Sequence, residues 1–180
     1  FKNIKSFGDE IVNLGNNFAA TESEILGNAE SIAQNVGIYK IGRQEILAFA
    51  TATKAVGLDA EVVGSTFSRT LAEFEKTLRS GKGVDDLLKI IGGTSQELSK
   101  RFKDDAAGVF VDYVRGLNNI NQSGRSVNEA LERTGIIAVR AQRVISSLSS
   151  NGFDVRIDAR SNVRDANGAM LAEFEYGTSK

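Results

Sequence analysis

Apolar residues recur at alternating spacings of three and four along most of this chain, and short polar stretches separate one run from the next. The first run is Ile4, Phe7, Ile11, Leu14 and Phe18. Later runs occupy residues 25–36, 46–56, 63–78, 84–91, 98–102, 106–120, 127–131 and 138–148. Because this spacing places the apolar side chains on one face of a helix, the pattern predicts a succession of short amphipathic helices.

The predicted helices have recognisable starts and stops. Capping boxes, in which a hydroxyl residue is followed three positions later by Glu, are Thr21 with Glu24, Thr94 with Glu97, and Ser126 with Glu129. Glycine follows most runs, at Gly37, Gly57, Gly81, Gly92, Gly135 and Gly152. Gly37 in particular is predicted to end its helix in a left-handed conformation. The chain has 18 Gly and no Pro, which also favours helices that end at glycine.

Two segments stand apart from the others. The strongest run is Ala106, Phe110, Tyr113, Val114, Leu117 and Ile120, which predicts the central core helix. The last segment is ambiguous, because residues 153–159 alternate as in a strand whereas Val163, Ala166, Met170 and Phe174 have helical spacing. Since no partner strand is evident in the sequence, we predict a helix there.

These elements predict an all-α fold. We expect a multi-helix orthogonal or antiparallel array of about nine or ten short helices joined by Gly-containing turns, since short connections make neighbouring helices antiparallel or steeply crossed. Residues 1–180 are expected to form a single helical domain, with residues 152–180 as a candidate for a less firmly packed C-terminal extension. Residue 1 is Phe rather than Met, so we interpret the chain as a fragment of a longer one.

Composition narrows the classes of function. The net charge is −1, so no bulk field attracts nucleic acid or an anionic membrane. No run approaches the ~20 apolar residues that a membrane span requires. The chain has no Cys and no His, which removes thiolate chemistry, the commonest general base and the commonest metal ligand.

A few residues are candidates for chemistry, and each has a simpler structural reading. Lys82 lies in the stretch SGKG, which lacks the first Gly and the hydroxyl residue of a phosphate-binding loop. The pairs Asp85–Asp86 and Asp104–Asp105 could bind a cation or act as acid and base. Both pairs lie near predicted helix starts, where acidic residues interact favourably with the helix dipole. We therefore expect Lys82 to lie in an inter-helix turn and the two aspartate pairs to lie at helix termini.

The remaining candidates are equally weak. Arg133, Arg140 and Arg143 could contact phosphates, but nearby Glu129 and Glu132 favour a solvated helix face. Asn121 begins a stretch that matches a glycosylation acceptor, which we interpret as coincidence. The sequence therefore predicts no catalytic residue, no cofactor and no metal site.

Four stretches in order carry a resemblance to a known family. They are NLGNNFAATESEI (13–25), RQEILAFATATKAVGLDAEVVGSTFSRTLAEF (43–74), SQELSKRFKDDAAGVFVDYVRGL (95–117) and SVNEALERTGIIAVRAQRVISSL (126–148). Together they resemble the core region of phage tail tape measure proteins. The most specific piece is KAVGLDAEVVGSTFSR (54–69), in which a Val-Gly-Leu turn leads into a helix start rich in small residues. Residues 152–168 depart from the more apolar pattern of the family.

The resemblance implies a structural role without catalysis, in a phage or a prophage. Such proteins set tail length while the tube protein polymerises around them, and they leave the tail ahead of the DNA. The implied partners are the tail tube protein, tail assembly chaperones and tail-tip proteins, with self-association as a further option. The implied locations are the phage tail of the virion and, during assembly, the cytoplasm of the bacterial host.

Other classes of function stay open. The main alternative is a cellular α-helical adaptor or solenoid-like interaction module, which a clear repeat of 30–45 residues would favour. Residues 25–57, 84–120 and 127–152 share a loose plan that is too weak to establish such a repeat. A helical enzyme that uses only carboxylates and Arg is a third option. Within the tape measure hypothesis, frequent glycine stops indicate a folded interaction domain rather than an extended ruler.

Overall fold

Eight helices follow one another between residues 21 and 150 in a computed structural model of the chain, which describes residues 21–55 and 57–150 and, of the rest, 156–157, 163–164 and 170–172. They are α1 (Glu22–Asn35), α2 (Arg43–Ala55), α3 (Ala60–Ser80), α4 (Val84–Ile91), α5 (Ser95–Asp104), α6 (Ala106–Gln122), α7 (Val127–Arg133) and α8 (Val139–Ser150). Each predicted run between residues 25 and 148 lies in its own helix, so the all-α prediction is confirmed for this part. The helix predicted from Ile4 to Phe18 lies outside the described residues.

Two of the three predicted capping boxes are complete. The Thr21 and Thr94 side chains accept hydrogen bonds from the third-residue N–H groups, and the Glu24 and Glu97 carboxylates accept from the cap N–H groups. At Ser126 only the first half forms, from the Glu129 N–H to Ser126 Oγ at 3.2 Å. The Glu129 carboxylate instead pairs with Arg133, one turn along the exposed face of α7.

Glycine ends several helices as predicted, but the prediction for Gly37 is wrong. Gly81 follows α3 with a φ of 75°, a conformation that costs little without a Cβ atom. After α1 the cap is Val36, whose φ is −114° and whose N–H donates to Ile32 O. The φ angle of Gly37 is not positive. The Tyr39 N–H donates to Val36 O at 3.0 Å, so the chain turns there without a left-handed residue.

The helix predicted for the last segment is also wrong where the structure describes it. Residues Arg156–Ile157 (β1), Val163–Arg164 (β2) and Met170–Ala172 (β3) form a three-stranded antiparallel sheet in the order β1-β2-β3. The register pairs Ile157 with Val163 and Arg164 with Met170. The strands find their partners within the segment itself, which the sequence analysis overlooked when it found no partner strand.

The core is organised around aromatic side chains from three helices, α2, α3 and α6. Phe67 and Phe110 stack at a tilt with ring centroids 4.3 Å apart, and Phe49 lies 5.1 Å from Phe67. A second series runs outward from Tyr113 to Phe74 at 4.8 Å. The predicted core positions of α6 are confirmed, since Phe110, Tyr113, Val114 and Leu117 are completely buried and only Ile120 is partly exposed.

Helix α2 is as deeply buried as α6. Seven consecutive residues, Leu47 to Thr53, are buried, so the helix has no solvent face along this stretch. Its buried hydroxyls are satisfied locally, because Thr51 Oγ1 donates to Leu47 O at 2.7 Å and Thr53 Oγ1 to Phe49 O at 2.8 Å. Asn28 of α1 donates to Thr53 Oγ1 at 3.0 Å, which ties the two helices together.

Contacts between distant helices close the body. Helix α1 packs against α2 and α3, α6 contacts α4, α5, α7 and α8, and α8 also packs against α3. Two glycines allow close approach: a Cβ atom at Gly64 of α3 would collide with the Ser31 carbonyl oxygen of α1, and one at Gly116 of α6 would collide with the Ile90 carbonyl oxygen of α4. Backbone oxygens cannot move aside as a flexible side chain can, so these contacts need glycine.

Replacing a core ring should test the aromatic packing. We expect Phe110→Ala to lower the free energy of unfolding by about 3–5 kcal/mol, because it leaves a cavity beside Phe67 and Phe49. Denaturant titration measures this loss. A loss under about 1 kcal/mol would contradict a core position for α6.

Paired glycine substitutions should test the close helix contact. Gly64→Ala should lower the free energy of unfolding by about 1–3 kcal/mol, because the new methyl group overpacks the α1–α3 contact. Gly27→Ala is the matched control, since its Cβ would meet nothing within 4 Å. It should raise stability by about 0.5–1 kcal/mol through helix propensity alone. Equal effects of the two changes in denaturant titration would show that the contact is looser than described.

Candidate functional site

The structure places the candidate lysine in a plain inter-helix turn. Lys82 lies between Gly81 and Gly83, which have φ angles of 75° and 78° and connect α3 to α4. The Lys82 N–H donates to Ser80 Oγ at 3.2 Å, and Lys82 is exposed. This is the turn that the sequence analysis expected.

The two aspartate pairs lie at helix termini and are not brought together. Asp85 and Asp86 occupy the first turn of α4, where Asp86 lies 3.8 Å from Lys89 Nζ. Asp104 ends α5, and Asp105 caps α6 by accepting a hydrogen bond from the Gly108 N–H at 3.0 Å. Among residues 21–55 and 57–150, no three His, Cys, Asp or Glu side chains are grouped so that they could hold a metal ion.

The candidate arginines and the glycosylation motif are exposed. Arg133 ends α7 and pairs with Glu129, whereas Arg140 and Arg143 lie on the exposed face of α8. Asn121 is in the last turn of α6, and the Ser123 hydroxyl of the motif donates to Ile120 O at 2.8 Å. In the described part of the chain, no helix combines the length and the apolar character needed to cross a bilayer.

An open groove lies on the surface of the described residues. It has a volume of about 750 Å³ and lies between the α1–α2 turn, the end of α3 and helix α5. Its lining residues are Ile38, Tyr39, Lys40, Glu75, Leu78, Arg79, Ser99, Phe102 and Lys103. We call it the Tyr39 groove. Ile38 is 83% exposed, the highest value among the exposed large apolar residues.

Aromatic contacts hold the floor of the Tyr39 groove against the core. The Tyr39 ring meets Phe102 edge-on with centroids 5.8 Å apart, and Phe102 meets Phe74 in the same manner at 6.5 Å. Phe74 in turn packs against Tyr113, whose hydroxyl lies 2.5 Å from Thr134 Oγ1. Burial raises the pKa of Tyr113, so this hydroxyl stays protonated. The floor is therefore an extension of the core.

The rim of the Tyr39 groove is mainly basic. Lys40, Arg79 and Lys103 surround it, and Glu75 is the one acid among its lining residues. The Tyr39 hydroxyl donates to Glu75 Oε2 at 3.3 Å. Burial, together with the charge of Glu75, raises the pKa of Tyr39, so the hydroxyl remains a donor. The groove thus combines an apolar floor with an excess of positive charge.

A second, smaller pocket differs in its charge balance. It has a volume of about 350 Å³ and lies between α4, the end of α6 and α7. Its acids are engaged by its own bases, Asp86 by Lys89 at 3.8 Å and Glu129 by Arg133. Arg125 also lines this pocket, and its Nε donates to Ser123 Oγ at 2.9 Å. The pocket therefore has one more base than acids, a smaller excess of positive charge than at the Tyr39 groove.

Sequence reasoning missed the Tyr39 groove. A signal was present in GIYKIG (37–42), where Ile38, Tyr39 and Ile41 lie between two helical runs and belong to neither. Large apolar residues in a turn are unusual unless they pack against something. The helix periodicity could not show that Leu78 and Phe102 would lie beside them, because those residues are far away in the sequence.

Comparisons with known proteins add no family. No protein-family model, no curated protein and no solved structure matches this chain. The function is therefore argued from the geometry of the chain and from the resemblance described above.

Glu45, in the first turn of α2, has a raised pKa. Burial raises the pKa of Glu45 above its ordinary 4.5, and the charge of Asp105 adds to this, against the opposing effect of the Gly42 N–H. That N–H donates to Glu45 Oε2 at 2.7 Å. Between about pH 4.5 and the raised pKa, the folded chain binds more protons than the unfolded chain, so stability falls as pH rises.

Removing this charge should change the pH dependence of stability. Gln at position 45 is always neutral and still offers an oxygen to the Gly42 N–H. We expect Glu45→Gln to gain stability relative to the wild type as pH rises from about 4 to about 7. Urea titrations across this range measure the difference. A difference that stays constant, or that shrinks with rising pH, would contradict the raised pKa.

Proposed function

We propose that this chain is a folded, non-enzymatic interaction domain of a phage tail tape measure protein. In this role it takes part in tail assembly, tail-length determination and DNA ejection. The family part of the proposal rests on the four stretches quoted above, and the interaction part rests on the Tyr39 groove. The phage tail and, during assembly, the host cytoplasm are its proposed locations.

The observation that carries the proposal is closure of the helices into one body. A continuous helix of 180 residues would span about 270 Å. The longest helix among the described residues is α3, whose 21 residues span only about 32 Å. Helix α3 also packs against α8, which lies far along the chain. A segment folded in this way contributes little length, which supports an interaction role rather than a ruler role.

The proposed partners are other proteins of the tail. The tail tube protein, the assembly chaperones and the tail-tip proteins are those implied by the resemblance, and self-association is a further option. The groove supplies apolar area and charge for such a contact. The described residues show no grouped metal ligands. Of the aspartates considered for catalysis, Asp105 caps α6, and Asp86 and Asp104 lie in ion pairs.

The fold argues against the solenoid form of the alternative function. In a solenoid each repeat contacts only its neighbours. Here α3 contacts both α1 and α8, and α6 contacts helices on either side of it in sequence. An adaptor with a closed helical body remains the second candidate, because the Tyr39 groove would serve it equally well.

An in-frame deletion in the encoding phage or prophage tests the proposal. Removing the codons of residues 21–150 should block tail assembly or infectivity, or shorten tails measurably but by far less than the about 195 Å that 130 helical residues would span. Electron microscopy measures tail length, and plaque counts measure infectivity. A control phage with Gly27→Ala should form normal tails.

Two results would contradict the proposal. Infectious tails shortened by the full helical length would show that the segment lies stretched inside the tube. Infectious phage with tails of unchanged length would show that the segment has no part in the tail.

A further inference from the structure

We propose that the Tyr39 groove binds an acidic amphipathic helix of another protein. The inference rests on the proposed interaction role and specifies the chemistry of the partner. The partner segment is expected to insert apolar side chains against Tyr39 and Phe102, and to direct carboxylates toward Arg79 and Lys103. Nothing in this contact requires a phage origin, so it can be tested separately from the function proposed above.

The floor of the Tyr39 groove is apolar. Ile38 is 83% exposed, although it lies beside Tyr39, Leu78 and the edge of Phe102. Exposed apolar area bordered by charged residues is typical of protein interaction sites. Because Tyr39 and Phe102 are joined by ring contact to the core, the floor is already ordered before binding. An ordered floor reduces the entropy lost on association.

The shape of the Tyr39 groove suits a helix. The groove is concave and is bordered by α3 on one side and α5 on the other, with the α1–α2 turn at one end. Among residues 21–55 and 57–150 there is no strand edge to which an extended peptide could add. A helix that inserts one apolar face between two helices is the recognition mode that fits such a groove.

The charge of the groove rim favours an acidic partner. The rim carries three cations against the single lining acid Glu75, whose Oε2 already accepts a hydrogen bond from the Tyr39 hydroxyl. Lys40 lies 3.9 Å from Asp104, and both side chains are more than 70% exposed. An ion pair of this kind contributes little and is readily exchanged. A basic partner would be repelled by this rim, whereas an acidic one would be attracted and oriented.

A second copy of the chain is a poorer occupant on the same grounds. Ile137 and Val139 form another exposed apolar patch among the described residues, but Arg133, Arg140 and Arg143 surround it in the sequence. Such a patch would bring more positive charge to a basic rim. Leu26 does lie between Glu22 and Glu30 on one face of α1, but it offers only one side chain, which is 37% exposed.

An anionic membrane is also a poorer fit. Lipid binding favours a protruding apolar surface that enters the headgroup region. In the Tyr39 groove Phe102 is buried and Tyr39 and Leu78 are partly buried, so Ile38 is the single strongly exposed apolar side chain of its lining.

Labelled model peptides provide the test. Three peptides of about 18 residues would share one Leu stripe at helical spacing and carry Glu, Gln or Lys at the flanking positions. Fluorescence anisotropy with the 180-residue chain measures their affinities. We expect the Glu peptide to bind at least about tenfold more tightly than the Lys peptide, and salt to weaken its binding. Methyl shifts of Ile38 in nuclear magnetic resonance spectra should report the site.

Charge reversal makes the test specific to the groove. The double change Arg79→Glu with Lys103→Glu should reverse the preference, so that the Lys peptide binds more tightly than the Glu peptide. Arg140→Glu with Arg143→Glu is the matched control, because it alters net charge equally on the exposed face of α8. It should leave the order of affinities unchanged. Circular dichroism checks that both variants remain helical.

Several outcomes would overturn the inference. They are absence of Glu-peptide binding at millimolar concentration, equal affinities for the three peptides, or an unchanged preference after reversal at positions 79 and 103. Dimer formation by the wild-type chain that this reversal abolishes would assign the groove to a second copy. Binding to phosphatidylserine vesicles that the reversal abolishes, without peptide selectivity, would assign it to a membrane.

The test also separates this inference from the proposed function. Selective, reversible peptide binding together with normal tails after deletion would support the groove and refute the tail role. Defective tails after deletion, without peptide selectivity, would support the tail role and refute the acidic partner.

Discussion

The stacked contact between Phe67 and Phe110, with ring centroids 4.3 Å apart, is the interaction on which the helical body depends. It joins α3 to α6, and Phe49 of α2 packs against both rings. Apart from α3 and α6, the helices of the described residues have 14 residues or fewer, and helices of this length are marginal in isolation. The buried aromatic area therefore stabilises the helices as well as their arrangement. Helix α1 then covers α2 and α3, and α8 closes against α3 and α6.

The aromatic core also reaches the surface at one place. From Tyr113 the ring contacts continue through Phe74 and Phe102 to Tyr39, which lines the groove. Each ring in this series restricts the next, so the groove floor has the order of the core although it faces solvent. A surface of this kind can recognise a partner without first folding, which is consistent with a domain that acts by contact.

The Tyr39 groove has more bases than acids among its lining residues. Elsewhere many acids are engaged close to their own position in the chain: Glu24 and Glu97 complete capping boxes, Asp105 caps α6, and Glu129 pairs with Arg133. These interactions favour helix formation. At the groove, cations from the α1–α2 turn, α3 and α5 lie around one acid, so the excess positive charge arises from tertiary assembly.

Within residues 25–148, the sequence alone determined which segments are helical and, except in the fully buried part of α2, which of their faces are buried, because periodicity and caps act within a few residues. The runs through Phe67 and Phe110 and the boxes at Thr21 and Thr94 were predicted on this basis. Local rules were insufficient where two neighbours competed for one group. The Glu129 carboxylate pairs with Arg133 and does not complete the capping box at Ser126. In the turn after α1, the Tyr39 N–H donates to Val36 O, and Gly37 is not left-handed. Local rules also missed the strands at 156–172, since strand pairing needs partners beyond the reach of a helical period.

Only the tertiary structure decided the candidate site. Ile38, Leu78 and Phe102 belong to three segments separated by tens of residues, and no spacing rule relates them. The close approaches at Gly64 and Gly116 likewise depend on which helix crosses which. The sequence contained the unusual apolar turn GIYKIG, but what that turn would contact was set by the packing of α3 and α5 beside it. Helix formation is a local property, whereas a groove exists only between elements, and for that reason the sequence determined the helices and the fold determined the site.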